Sequence, residues 1–186
     1  MEIKKDMQIK DVEVFFVDES HFADEPYVQR GWCLIGEKKK VETQKKKESK
    51  TMIGALSLKS QKIYWKQADK GTSETFIKFL YQLKQSFPNV LKILITDNSS
   101  IHKSKKVENF LKRNPLIKIK LLTPYSPEYN PIERFWLWLK KKVYGSNSYR
   151  SIKEVISEIR KIIWHYHKND LVSSINFNFE LYAEIL

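Results

Sequence analysis

Residues 12–19, with the sequence VEVFFVDE, decide how the rest of the chain is interpreted. Five of the first six side chains are β-branched or aromatic, a pattern typical of a short buried β-strand. Asp18 and Glu19 follow directly, so we predict a strand at residues 12–17 that ends on two carboxylates. This places negative charge at the edge of a sheet.

A second apolar run ends in the same way. Residues 91–96, LKILIT, predict a strand followed by Asp97. Between the two strands, residues 51–58 and 63–65 predict a hairpin, and Ser73 is the predicted N-cap of a helix stopped by Pro88. This order favours an α/β domain with a mixed sheet. Ligands bind such sheets beyond the carboxyl ends of strands, where strand order reverses, so Asp18 and Asp97 are candidate site residues.

The remaining elements follow from periodicity and from breaker residues. We predict helices at residues 103–113 and 151–166 and strands at 31–35 and 117–122. Asn130 and Pro131 open a further helix that Gly145 ends, with Asn130 expected to cap the free amide groups. Residues 36–50 are predicted to be a basic loop or hairpin insertion within one domain spanning residues 1–186.

The amino-acid composition indicates which class of molecule the protein binds. The 34 Lys and Arg residues outnumber the 22 Asp and Glu residues by 12, an excess that attracts polyanions and favours nucleic acid. A lysine-rich composition that merely keeps the protein soluble is the alternative. One cysteine excludes an internal disulfide, and no apolar run is long enough to cross a bilayer. We therefore expect a cytoplasmic protein without a membrane partner.

Carboxylates on rigid elements are suited to phosphodiester chemistry. Two hard divalent ions neutralise charge on the attacking and leaving oxygens, and Mg²⁺ needs only a few protein carboxylates. Each acid also has a simpler interpretation. Asp18 and Asp97 can cap loops that leave strands, and Glu133 stands three residues after Asn130, the spacing of a capping box.

Three sequence blocks together favour a metal site over these simpler interpretations. They are Asp18-Glu19-Ser20-His21, then Asp97-Asn98 with His102, and then residues 126–133, SPEYNPIE, which end on Glu133. These blocks resemble the signature of mariner-like transposases, and most closely the bacterial insertion-sequence branch of that DDE superfamily. Thirty-five residues separate Asp97 from Glu133, a spacing that this family uses. The match extends from about residue 12 to residue 144, and its third block is the most specific.

The resemblance implies an α/β, ribonuclease-H-like three-layer fold, with a mixed, largely five-stranded sheet and flanking helices. It also implies that Asp18, Asp97 and Glu133 are catalytic and hold two Mg²⁺ ions, for which Mn²⁺ substitutes. The strands before the two aspartates would lie side by side, and Glu133 would come from the helix after the fifth strand. Members of this family cleave DNA with water and use the freed 3′-hydroxyl to attack target DNA. Auxiliary candidates are Asn98, His102 and Asn130, and candidate DNA contacts are Arg30, Trp32, Lys38, Lys39, Lys40, Lys45, Lys46 and Lys47.

The resemblance also identifies a difference from a whole transposase. Family members usually recognise DNA ends through helix-turn-helix domains before the catalytic domain, and only eleven residues precede residue 12 here. We therefore expect that domain to be absent and to belong to a separate polypeptide, with a homodimer acting on transposon ends and target DNA. The alternatives are a standalone metal-dependent nuclease of ribonuclease-H type and an inactive, DNA-binding remnant of a transposase.

Overall fold

The computed structural model describes residues 12–24, 35–36, 47–122, 130–145 and 148–168. Five strands in these segments form one sheet: β1 (Val12–Ala23), β2 (Ser49–Ser57), β3 (Ile63–Ala68), β4 (Leu91–Thr96) and β5 (Ile117–Leu121). The helices are α1 (Ser73–Ser86), α2 (Lys105–Lys112), α3 (Pro131–Tyr144) and α4 (Ile152–Lys168). None of these helices is both long and apolar enough to span a membrane.

The sheet has the order β3-β2-β1-β4-β5. Strands β1, β2 and β3 pair antiparallel, whereas β4 pairs parallel to both β1 and β5. The chain builds the sheet in one direction from β1 to β3 and then crosses to the other side of β1. Strand order therefore reverses between β1 and β4, the two strands whose aspartates the sequence singled out.

Two hydrophobic cores cover the two faces of this sheet, because successive side chains of a strand point to opposite faces. On one face, Phe16 and Phe22 pack with residues of α3 and α4, including Phe135. On the other face, Phe15 and Val17 pack with residues of α1 and α2. The three layers and the mixed five-stranded sheet that the resemblance implies are confirmed.

The most important correction concerns β1. The prediction ended this strand at residue 17, but β1 continues to Ala23 through antiparallel pairing with β2. Its polar residues stay in the strand because β2 satisfies their backbone groups, and Phe22 returns to the core with 1% of its surface exposed. Asp18 therefore lies within a strand and pairs with Gly54 instead of standing at a strand end.

Other boundaries differ by a few residues. Strand β2 begins at Ser49, so the predicted basic loop does not extend to residue 50. Helix α1 is capped by Thr72 instead of Ser73, because the Thr72 hydroxyl accepts a hydrogen bond from the Thr75 amide. The predicted strand at 31–35 lies outside the described residues except for Ile35, as do Arg30, Trp32, Lys38, Lys39, Lys40, Lys45 and Lys46. Lys47 is described and is exposed.

Candidate active site

Asp18 and Asp97 approach each other at the switch point of the sheet. The parallel pairing of β1 with β4 ends at Phe16 and Ile95, two residues before Asp18 and Asp97 respectively. Asp97 follows the last residue of β4, whereas β1 continues past Asp18. Their charges interact, since Asp97 contributes to the raised pKa of Asp18.

Glu133 approaches from the first turn of α3. It lines an open pocket of about 510 Å³ together with Asp18. The other residues that line this pocket are Glu19, Ser20, Arg134, Trp136, Leu137 and Lys140. The structure thus brings Asp18 and Glu133 to one pocket, while Asp97 lies beside it.

Asn130 fixes the start of α3 against β1. It is 2% exposed, and its Nδ2 donates a hydrogen bond of 3.3 Å to the carbonyl oxygen of Val17. The prediction that Asn130 caps the helix with its side chain is wrong, because that side chain makes no capping hydrogen bond. The side chain instead satisfies a backbone carbonyl group of β1, one residue before Asp18, where the pairing of β1 with β4 has already stopped.

Gly54 and Trp136 allow α3 to lie close to the sheet. A Cβ atom on Gly54 would stand 2.5 Å from Cζ2 of Trp136 and 3.2 Å from Cδ1 of Ile132. Only glycine leaves room for the indole against the strand position that pairs with Asp18. Trp136 is also fully packed, with Phe22 and Phe135 as ring neighbours.

His102 orients Asp97. Its side chain is 1% exposed, and Nε2 lies 3.2 Å from Oδ1 of Asp97, whose own side chain is 59% exposed. The Ser99 amide also donates to this oxygen, at 3.1 Å. Burial lowers the pKa of His102 against the opposing effect of Asp97, which favours a neutral ring. The other auxiliary candidate, Asn98, is exposed in the loop after β4.

Negative charge is concentrated at this place. Burial, followed by the charges of Glu133 and Asp97, raises the pKa of Asp18 from 3.8 to about 7. Burial and the charge of Asp97 likewise raise the pKa of Glu19 from 4.5 to about 7. Strand alternation places the Glu19 side chain on the opposite face from Asp18, and its Oε2 lies near Gly71. Sequence patterns alone did not predict that Glu19 lies near Asp97.

Sequence patterns alone also did not identify Lys140 as a site residue. It is half-buried, and its Nζ lies 5.5 Å from the ring centre of Phe22. Burial lowers the pKa of Lys140, and Asp18 offsets part of that effect. Lys140 stands seven residues after Glu133, about two helical turns, so the two share a helix face. That spacing was the signal available in the sequence.

The donor chemistry of this site fits a hard divalent cation. Carboxylate oxygens are the ligands that such ions prefer, and a cation would offset the burial and the neighbouring negative charges that raise the pKa of Asp18. However, no group of three or more His, Cys, Asp or Glu side chains in the described segments is arranged to hold a metal ion. Oδ1 of Asp97 is engaged by His102 and by the Ser99 amide, and Asp97 is not among the residues that line the pocket.

The charge of Asp18 predicts an unusual dependence of stability on pH. A carboxyl whose pKa is higher in the folded protein than in the unfolded chain destabilises the fold once it ionises. The metal-free protein should therefore lose stability as the pH rises from about 4 to about 7. We expect Asp18→Asn to raise the free energy of unfolding by about 2–4 kcal/mol at pH 8 and to change it little at pH 4.

Urea denaturation of the metal-free protein at both pH values measures this difference. Asp69→Asn is the matched control, since Asp69 is exposed and its pKa is lowered by Lys50. That variant should gain no stability at pH 8. A clear destabilisation of the Asp18 variant at pH 8 would contradict the charge repulsion described above.

Comparisons with known proteins agree with this architecture. Residues 13–156 match the model of the DDE superfamily endonuclease family. A 39 kDa uncharacterized protein of insertion element IS630 from Shigella sonnei is 30% identical over 148 residues, which are 79% of this chain and 43% of that protein. The chain therefore spans less than half the length of this curated relative.

Solved structures show the same fold. The Mos1 strand transfer complex aligns with a TM-score of 0.62 and 11% identity, covering 98% of this chain and 52% of that chain. The HTLV-2 integrase catalytic core domain in complex with magnesium, in its trimeric form, aligns with a TM-score of 0.52 and 15% identity, covering 83% of this chain and 82% of that chain. The fold is thus that of the transposase and integrase cores, as the resemblance implied. With most of its length matched by the family model, the chain belongs to the DDE superfamily endonucleases.

Proposed function

We propose that this chain is the catalytic part of an insertion-sequence transposase, which cleaves DNA strands and joins the freed 3′-hydroxyl to target DNA. The observation that supports the proposal is the pocket shared by Asp18 and Glu133 beside the sheet switch point, near enough to Asp97 for its charge to help raise the pKa of Asp18. Similarity to a protein of an insertion element supports transposition over general nuclease activity. The proposed partners are transposon ends, target DNA, a second copy of the chain and a separate DNA-binding polypeptide.

Asp18, Asp97 and Glu133 are the proposed catalytic residues and the proposed ligands of two Mg²⁺ ions. When bound, such ions neutralise charge on the attacking and leaving oxygens of the phosphodiester. Asp18 is held within β1 by pairing with Gly54, and Glu133 is positioned through the hydrogen bond of Asn130 to Val17. Asp97 is oriented by His102. Rigid supports of this kind keep the carboxylates in a fixed geometry.

Cationic residues of the same pocket are suited to the substrate. Arg134 and Lys140 line the pocket beside the acids, and both carry the charge that binds phosphate oxygens. Exposed Leu137 lies between them on the same helix, where it offers an apolar surface to a sugar or base. A DNA strand can therefore place one phosphate at the acids and its neighbours on these side chains.

A nicking assay tests the proposal. Purified chain is incubated with labelled duplexes carrying the inverted repeats of its element, with scrambled duplexes and with an RNA–DNA hybrid, in Mg²⁺, Mn²⁺ or EDTA. We expect metal-dependent nicking of the DNA duplexes by the chain alone, with preference for the repeat ends once the separate DNA-binding polypeptide is added. Cleavage confined to the hybrid would favour a standalone ribonuclease-H-type enzyme, and no cleavage of any substrate in either metal would contradict the proposal.

The charge excess predicts salt-sensitive DNA binding. Released counterions make the affinity fall with salt, by at least about tenfold between roughly 50 and 200 mM. Arg134→Gln and Lys140→Gln should each reduce the slope of log affinity against log salt by about 1, the effect of one lost phosphate contact. Filter binding measures the slopes, with Lys153→Gln on α4 as the control of equal charge. A salt-independent affinity would contradict the expected phosphate contacts.

A further inference from the structure

A second pocket lies at the opposite end of the sheet from the acids. It has a volume of about 270 Å³ and is formed where β4 and β5 begin, below the ends of α1 and α2. Because β4 has six residues, this pocket, here called the basal pocket, lies about 20 Å from Asp97. Its lining residues are Lys84, Phe87, Pro88, Asn89, Lys92, Arg113, Asn114, Pro115, Leu116 and Ile117.

Three cations meet at the basal pocket without a matching anion. Lys84 belongs to α1, Lys92 to β4, and Arg113 ends α2. No Asp or Glu of the segments that the structure describes lines the pocket. Like charges from three different elements repel one another, and an anion bound between them would relieve that repulsion.

Lys92 makes the strongest case for such a ligand. It is 1% exposed, and its Nζ donates to the carbonyl oxygens of Phe87 and Val90, at 2.6 Å and 2.5 Å. These two bonds use two of the three ammonium protons, and no carboxylate of the described segments is bonded to this ammonium group. A buried charge is costly unless it is paired, and the burial and nearby Lys84 lower the pKa of Lys92.

The rim of the basal pocket is held in place. Lys84 Nζ donates to Oδ1 of Asn114 at 2.7 Å, and Asn114 Nδ2 donates to the carbonyl oxygen of Phe110 at 2.8 Å. Asn114 thereby fixes Lys84 beside the end of α2, where Arg113 is exposed. Leu116, 44% exposed, and Pro115 add an apolar wall.

We propose that the basal pocket binds a phosphoryl group, with Lys92 at its base and Lys84 and Arg113 at its rim. A phosphoryl dianion matches the excess of positive charge, and the apolar wall accommodates the organic group attached to it. The volume lies at the lower limit of small-molecule sites, which suits a small phosphorylated molecule or the terminal nucleotide of a strand. This site is separate from the carboxylates and does not depend on their proposed chemistry.

Calorimetric titration of the full chain tests the proposal, at constant ionic strength and without divalent metal. The probes are inorganic phosphate, a 5′-phosphorylated hexanucleotide and the same hexanucleotide without the phosphate. Lys84→Gln/Arg113→Gln removes the rim cations. Lys78→Gln/Lys105→Gln is the matched control, because it removes the same charge from exposed positions of the same two helices.

We expect saturable phosphate binding by the wild type and by the control. The rim variant should bind phosphate at least about tenfold more weakly, since Lys84 and Arg113 would each donate a charged hydrogen bond to it. If the phosphorylated hexanucleotide binds more tightly than inorganic phosphate, and the rim variant loses this difference, the ligand is a nucleic acid end. If inorganic phosphate and the phosphorylated hexanucleotide bind with equal affinity, the ligand is a small phosphorylated molecule. The proposal is overturned if the wild type shows no saturable binding, or if both variants lose affinity equally. Should the double variant not fold, Arg113→Gln alone gives the same readout.

Discussion

Asp18→Asn is expected to reduce the rate of DNA nicking by roughly 10³-fold or more, the scale of a few kcal/mol of charge stabilisation in the transition state. The substitution keeps the size of the side chain and its place in β1 but removes the negative charge. Asparagine is a poorer ligand than carboxylate for a hard cation, so metal binding should weaken together with catalysis. Single-turnover nicking at saturating DNA and a range of Mg²⁺ concentrations separates the two effects.

Two matched variants make this result specific. Asp69→Asn removes the same charge at an exposed ion pair with Lys50 and should leave nicking unchanged. Glu19→Gln alters the neighbouring carboxylate on the other face of β1, and we expect its rate to stay within about tenfold of the wild type. The Asp18 variant should also be the more stable metal-free protein, so lost activity cannot come from unfolding. Nicking at the wild-type rate would remove Asp18 from the catalytic site.

Gly54→Ala is expected to destabilise the protein by about 1–3 kcal/mol, the usual cost of overpacking a core. The new methyl group would lie 2.5 Å from Cζ2 and 2.8 Å from Cη2 of Trp136, which is 4% exposed and has Phe22 and Phe135 as ring neighbours. We expect the indole to shift and to displace α3, and Glu133 with it. We expect the melting temperature and the nicking rate to fall together.

Gly71→Ala is the matched control, because a methyl group there meets its nearest atoms at an ordinary distance of 3.7 Å. Trp136→Phe provides the rescue. It removes the two ring atoms that clash, and the indole N–H that it deletes is buried without a partner among the described residues. A double-mutant cycle should show a favourable coupling between Gly54→Ala and Trp136→Phe. Simple additivity of the two losses would show that the close contact does not position α3.

Local sequence patterns predicted the elements that carry the acids. Apolar runs identified the strands that become β1 and β4, and the Asn130-Pro131 pair gave the first residue of α3. The side-by-side placement of these two strands, which the resemblance implied, is confirmed by the strand order of the sheet. The catalytic roles of the three acids remain a prediction.

Features that depend on distant partners could not be predicted in the same way. Strand β1 outlasts its apolar run because β2 pairs with it, and no local pattern reports that partner. The side chain of Asn130 bonds to Val17, which is 113 residues away, instead of capping its own helix. The contact between Gly54 and Trp136 likewise requires knowing that α3 crosses β2.

The side-chain amide of Asn130, the residue directly before α3, joins this helix to the backbone of β1 by a hydrogen bond. Because this hydrogen bond is made by the residue that adjoins the helix, the spacing between Glu133 and Asp18 does not depend only on the seven residues that connect Leu122 to Asn130. A change in the length of that connection should therefore leave the start of α3 attached to β1, as long as Asn130 keeps its hydrogen bond to Val17.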